Sequence, residues 1–412
     1  MRRGLIRWGI LALAGVGVLV SAAAGASPRA QLLGHANPRG GYSADAFGHR
    51  GYAYLSSWHG GTCPSLGVRV YDVHSLRRPR HVATFADDHS DPSVDGTWTE
   101  KTIVKHVSTS AFGGELAVTS FQHCPGTNAF RGFGLYDVTN PARPRKLSLV
   151  RTEPGGSHEI WLQPVGRRAY VYTAIPRAEL GVPPQLAGTG FWIYDVTNPE
   201  KPVRVGSWKA PPLLRGDGNG VFVHSVITNR RATRAYVSYW NLGTVILDIS
   251  NPARPRYLGR TDDPQGAAHS AAISADGKLL IETHETKGGR PSLWNISNPR
   301  RPVRLSTIRP PRALLRHVGV SGDLATSVHD PKLVGKRAYF SWYGLGVLVY
   351  DVKNPRRPRY LGRFLPPASP DPQPGGICAA QQPCRFVWGV YPERGYALAG
   401  DMIGGLWVFS FR

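Results

Sequence analysis

Five histidines recur at one spacing. His106 in "IVKHVS", His158 in "GSHEI", His224 in "VFVHSV", His269 in "AAHSAA" and His329 in "TSVHDP" each lie 10 to 12 residues before a strand signal at Leu116, Tyr170, Tyr236, Leu280 or Tyr339. Two carboxylates, Glu159 and Asp330, adjoin them. Neutral imidazole is the commonest ligand for zinc, copper, nickel or iron, and nearby carboxylates act as ligands or orient them. A partial ring of imidazoles with an open position is what a catalytic or transport metal site needs. The same recurrence follows if each imidazole only hydrogen-bonds a neighbouring repeat and was copied with it. No nucleophile elbow, Walker loop, paired-cysteine zinc motif or zincin helix accompanies them, and "GDGNG" (216–220) lacks the oxygen ligands of a calcium loop.

The elements that must position these histidines are repeats. "YDVKNPRRPRYLGR" (350–363) has related copies beginning at Tyr71, Tyr136, Tyr194, Leu247 and Trp294. Anchored on Asp72, Asp137, Asp195, Asp248, Asn295 and Asp351, the copies are 47 to 65 residues apart, the period of a four-stranded propeller blade with variable loops. Residues such as Val347 to Val352 alternate β-branched and aromatic side chains. The Asn-Pro-x-x-Pro that follows cannot continue a ladder, since proline lacks the N–H and fixes φ. The repeated Asp is expected to cap backbone N–H groups of that turn.

A seventh unit, "RGYALAGDMIGGLWVFSFR", stops before its fourth strand, and "QLLGH" (31–35) matches the missing "RYLGR" (359–363). The expected fold is therefore an all-β, seven-bladed β-propeller closed by an N-terminal strand at residues 31–35, which removes two exposed sheet edges. The five histidines should open the innermost strands of blades two to six. There they would form, with Glu159 and Asp330, a ligand-binding mouth on the axis.

At "IYDVTNPEKP" and "LVYDVKNPRRP" the sequence resembles the LVIVD-repeat family of bacterial and archaeal surface or secreted proteins. The resemblance implies a β-propeller over nearly all of the mature chain. It implies little about chemistry, because propellers host many functions.

Residues 1–26 read as a signal peptide, with a basic start, an apolar run from Trp8 to Val20 and a small-residue site ending at Ala26. Arg2-Arg3 faintly resembles a twin-arginine signal. Cleavage would leave one propeller domain, residues 27–412, secreted or in the cell envelope, monomeric and without a transmembrane span. Four cysteines in an exported chain favour disulfides. Cys378 and Cys384 bracket a short loop, and Cys63 and Cys124 follow the second strands of consecutive blades. The other two pairings stay open, and His59 and His123 beside them leave a metal-site alternative.

A formal charge of +23 points to an anionic partner. The turn arginines, among them Arg254, Arg256, Arg356, Arg357 and Arg359, should form a basic ring on one face. The acidic loops, including "TDDPQGAAH" (261–269) and "THETKGG" (283–289), gather on the other. Anionic envelope polymers, lipid head groups or a protein partner suit such a face. No aromatics interleave the arginines, which counts against nucleic acid.

Two functions fit. One is a binding scaffold that takes a small ligand at its histidine-lined mouth and docks through its basic face. The alternative is a metal-dependent enzyme, an oxidoreductase or hydrolase carrying copper or zinc on the rim histidines, similar in layout to selenium-binding protein and methanethiol oxidase propellers.

Overall fold

The computed structural model describes residues 30–152, 155–176, 190–215, 222–316, 326–378 and 382–411. The signal segment and "GDGNG" lie outside the described residues.

Seven antiparallel sheets succeed one another along the chain, each running from an innermost to an outermost strand. Blade 1 comprises Tyr42–His49, Tyr52–Trp58, Val68–Asp72 and Arg80–Phe85. The innermost strands of blades 2 to 7 are Thr102–Ser108, Ile160–Val165, Val223–Thr228, Ala268–Ile273, Pro331–Val334 and Val387–Pro392. The last blade takes its outer strand from the N-terminal side, where Ala30–Ala36 pairs antiparallel with Gly405–Phe411. His35 secures that strand by stacking on Trp407 at 3.6 Å and bonding Gly404 O at 2.6 Å.

The repeated turn works locally. Asp248 Oδ1 accepts from the Ser250 N–H, and Asn251 Oδ1 accepts from the Ala253 N–H. Asp351 and Asn354 do the same for Lys353 and Arg356. Two short side chains thus hold the backbone donors that the ladder releases, and proline fixes the path between them.

The fourth strand explains its own small residue. A Cβ on Gly206 would come 1.9 Å from Pro252 O of the next blade's turn, and one on Gly259 would come 2.3 Å from Pro299 O. Where serine stands instead, its hydroxyl donates to that carbonyl: Ser148 to Pro199 O and Ser306 to Pro355 O, both at 2.6 Å. Gly or Ser at this position, replaced by Ala83 in blade 1, is therefore the contact that lets one blade nest against the next. Gly34 makes it toward Leu76 O of blade 1, so the N-terminal strand also docks the ring's last blade onto its first.

One irregularity matters most for function. At the entrance of each innermost strand two residues face a single partner, a β-bulge. His158 N–H bonds Ala174 O while Ala174 N–H bonds Glu159 O, and His329 and Asp330 share Ser341 in the same way. Register shifts mark the same point at Val223/Ser225, Ala268/Ala271, Ser43/Ala46 and Val387/Gly389. Bulges re-aim side chains and recur beside functional sites.

Candidate functional site

The bulged pairs build two layers across the axis. The first residues of the pairs are Ala44, Glu100, His158, His224, His269, His329 and Trp388. The second residues include Asp45, Lys101, Glu159 and Asp330.

In the first layer four imidazoles from consecutive blades stand in a row. Ring centroids are 4.2 Å apart for His158–His224, 3.9 Å for His224–His269 and 4.1 Å for His269–His329, and Trp388 continues the row 4.3 Å beyond. All four histidines are buried. His158 Nδ1 faces two acceptors, Gln122 Oε1 at 2.6 Å and Glu100 Oε2 at 3.0 Å. It therefore carries the proton, and its Nε2 lone pair meets His224 Nε2 at 2.8 Å. His224 Nδ1, His269 Nε2 and both nitrogens of His329 have no hydrogen-bond partner.

Charge is distributed unevenly along the row. Burial, then the neighbouring imidazoles, pushes the pKa of His224 and His269 well below the usual histidine value, so both are neutral. Burial also works against charge on His329. There Glu100, 3.7 Å away, together with Glu285 and Glu159 outweighs it and raises the pKa. Glu100 is fully buried, yet His158 holds its carboxyl well below the ordinary range.

Above the row lies a cavity of about 310 Å³ lined by Trp58, His59, Trp98, Tyr343, Phe386 and Trp388, with Glu285 on its wall. The Tyr343 hydroxyl donates to Glu285, whose other oxygen is 3.6 Å from His269 Nε2. The Cys63–Cys124 and Cys378–Cys384 disulfides are both formed. Cys378 and Cys384 pack with Tyr343, Phe386 and Trp388, and so brace the cavity's aromatic wall.

The second layer closes the channel. Lys101 Nζ is 2.9 Å from Glu159, 3.4 Å from Asp330 and 3.5 Å from Asp45, drawing blades 1, 2, 3 and 6 to one buried ammonium. Burial opposes its charge, but Asp330, Glu159 and Asp45 outweigh this and hold the lysine pKa well above its usual value. Lys332 adds a second ammonium on Asp330. Asp45 has room because blade 7 carries Gly389, where a Cβ would fall 1.8 Å from Asp45 Oδ1. Beneath this plug a second cavity of about 350 Å³ opens toward the opposite face.

The structure brings His158, His224, His269 and His329 together, but not His106. That residue sits near the far end of its strand, half-exposed, with Nδ1 2.9 Å from Glu115. The first hairpin of blade 2 is longer than the others, so counting back from Leu116 stops short of the bulge, and Glu100 holds the position assigned to His106. Glu159 and Asp330 lie in the plug beneath the row rather than on the mouth wall, although Glu159, His224 and His269 still present ligand atoms within 4.8 Å of one another. Sequence reasoning missed Glu100, Lys101 and Asp45. The available signal was the doublet itself: "HE", "HS", "HS" and "HD" on four blades align with "EK" in blade 2.

The turn arginines divide. Arg256 bonds Asp248 at 2.6 Å and Arg359 reaches Asp351 at 3.3 Å, so both are tethered within their own blade. Arg254, Arg356 and Arg357 are exposed.

These features define the class as a seven-bladed β-propeller, and a structure comparison agrees. The Myceliophteria thermophila Cps50 (Swd1) beta-propeller domain superposes with a TM-score of 0.59 over 93% of this chain and 99% of that one, at 11% identity. That likeness concerns the fold alone. The model of the LVIVD repeat matches residues 235–263, the second to fourth strands of blade 4. With six further blades of the same build, the chain is an LVIVD-repeat β-propeller. No curated protein matches the sequence.

Proposed function

We propose that the protein is an exported propeller that binds a transition-metal ion of the copper or zinc class on its axial imidazole row and receives a small ligand in the aromatic cavity above it. The observation that carries this reading is the row itself. Buried imidazoles from four consecutive blades stand about 4 Å apart, the central two neutral, and His224, His269 and His329 carry nitrogens without a hydrogen-bond partner. Residues serving only to join blades would have those nitrogens satisfied, since an unmade buried hydrogen bond costs about 1–3 kcal/mol. Two nitrogens about 2.0–2.1 Å from one ion and at a right angle to it are about 2.9 Å apart. His158 Nε2 and His224 Nε2 share a hydrogen bond of 2.8 Å, a separation that also suits that tetragonal arrangement.

Export is supported by the basic, then apolar, then small-residue N-terminus and by two disulfides. No helix among the described residues is long and apolar enough to cross a membrane. Arg254, Arg356 and Arg357 suit docking to an anionic envelope polymer or lipid head groups, a contact that salt should weaken.

The test is elemental analysis of protein purified from its native compartment, beside a His224→Ala/His269→Ala variant. One equivalent more metal in the parent than in a variant that still melts cooperatively supports the reading. Equal metal content in the two, or no metal in the parent together with unfolding of the variant, overturns it in favour of a blade-joining role.

A catalytic reading rests on one further feature, the Tyr343–Glu285 pair lining the open cavity beside His269. It makes metal-dependent redox or hydrolytic chemistry available, with Glu285 as proton acceptor. Oxygen uptake with ascorbate, or hydrolysis of an activated ester, should then disappear in Glu285→Gln while metal content stays unchanged.

A further inference from the structure

A second cluster lies away from the axis, where blade 4 hands over to blade 5. Asp263 follows the outer strand of blade 4, and Glu282 and His284 stand on the second strand of blade 5, Leu279–His284. The side chains of Asp263 and Glu282 are fully buried, and that of His284 is 1% exposed.

Glu282 and His284 are each held by bonds that leave one ligand atom without a partner, and Asp263 Oδ2, which accepts from Ser292, keeps a second lone pair beside them. Glu282 Oε2 accepts from the Thr261 hydroxyl at 2.5 Å and the Thr244 N–H at 2.7 Å, whereas Oε1 has no hydrogen-bond partner. Asp263 accepts from the Ser292 hydroxyl and from the Gln265 backbone N–H at 3.0 Å. His284 Nδ1 donates to Gly266 O at 2.6 Å, so that nitrogen carries a proton and, in the neutral ring, Nε2 holds the lone pair. That Nε2 is also unpartnered. It lies 3.3 Å from Glu282 Oε1 and 3.6 Å from Asp263 Oδ2.

In the neutral ring that lone pair faces two buried carboxylates, an arrangement that is repulsive unless a cation sits among them. Both separations exceed the roughly 2.7–2.9 Å of a charge-assisted N–H···O bond. The 3.3 Å separation matches the edge of a tetrahedral site and the 3.6 Å one is slightly longer, because donors about 2.0–2.1 Å from one ion are about 3.3–3.4 Å apart. An imidazole whose other nitrogen donates to a backbone carbonyl is also the usual supported form of a metal ligand.

We propose that Asp263, Glu282 and His284 form a structural zinc-type site that clasps blade 4 to blade 5. It is independent of the axial row and stands whether or not that row binds metal. Arg304, 3.6 Å from Asp263 Oδ2 and half-exposed, is the nearby cation that a bound ion must tolerate. It flanks a cavity of about 340 Å³ formed with Gln265, Arg290 and Arg309.

The experiment uses full-length protein carrying His224→Ala/His269→Ala, titrated with zinc chloride at pH 7 after chelation. One zinc should bind and raise the melting temperature, and X-ray absorption should show nitrogen and oxygen neighbours at about 2.0–2.1 Å, including one imidazole and no sulfur. Asp263→Asn should weaken binding by at least about tenfold. Arg304→Gln should tighten it severalfold, because a like charge is removed. The idea is overturned if no zinc binds, if Asp263→Asn binds it equally well, or if nitrogen NMR finds both His284 ring nitrogens protonated in protein purified without zinc. Should Asp263→Asn fail to fold, the absorption spectrum decides: a shell without imidazole refutes the site.

Discussion

Replacing Lys101 with Met removes the ammonium on which blades 1, 3 and 6 converge. At an effective dielectric of about 20, opposite charges 2.9 to 3.5 Å apart attract by about 5 kcal/mol each. The loss is smaller than that sum, because a stranded carboxylate takes up a proton instead of staying ionised. Asp45, Glu159 and Asp330 face two ammoniums, Lys101 and Lys332, with His329 and Glu100 as the nearest other titratable groups. Removing one ammonium therefore requires about one additional proton. For an acid of ordinary pKa near 4 this costs about 4 kcal/mol at pH 7, within the roughly 3–5 kcal/mol typical of a buried pair broken from one side.

In the variant the folded-state carboxyl pKa lies above its unfolded value, so the destabilisation is present above the unfolded pKa and fades as pH falls toward it. At pH 5 the deficit should be about 1.4 kcal/mol. With an unfolding entropy of about 0.8 kcal/mol/K for a chain of this size, Lys101→Met should melt about 5 °C below the parent at pH 7 and about 2 °C below it at pH 5. Scanning calorimetry at both pH values measures this. A variant that melts with the parent at pH 7, or whose deficit is the same at pH 5, refutes the shared-ammonium plug.

The two disulfides should differ in worth, because Cys63–Cys124 closes a separation of 61 residues and Cys378–Cys384 one of 6. Loop-closure entropy gives about 4 and about 2 kcal/mol, so denaturant unfolding of Cys63→Ser/Cys124→Ser should show the larger loss. Deleting residues 30–36 should bare the edge of Gly405–Phe411 and produce oligomers in light scattering, whereas a monodisperse deletion variant would show that the closing strand is dispensable. The Ser250 N–H, then Arg256, pulls the Asp248 pKa down to about 2. A lowered folded-state pKa means stabilisation that is full above about pH 4 and lost as pH falls through 2, so the melting difference between parent and Asp248→Asn should close between those values. A difference constant with pH would assign the aspartate a role without its charge.

Much of the fold was legible because its grammar is local. Asp248, Asn251 and Pro252 set their turn through bonds spanning two residues, and each copy restates them. The match of "QLLGH" to "RYLGR" foretold the closing strand, and Gly34 against Leu76 O shows why the glycine had to be copied with it. The Cys63–Cys124 bridge was favoured by equivalent places on adjacent blades and Cys378–Cys384 by its short loop, and the structure decided among the pairings the sequence left open. His106 failed because counting residues assumes hairpins of one length, while position on the axis depends on where the bulge falls. Arg256 and Arg359 read as free surface charge because their partners, Asp248 and Asp351, lie eight residues away across a turn.

The sequence by itself determined the strands, the rigid turns, the number of blades and the way the ring shuts, since each depends on contacts within a repeat or between like positions of neighbours. Only the tertiary structure decided what the axis contains. Glu100 beside four imidazoles, Lys101 among three carboxylates, and Asp263 facing Glu282 and His284 are meetings of residues from different blades. Their chemistry depends on ångström separations that ring closure and bulge register impose, which the recurring doublets along the chain mark but do not set.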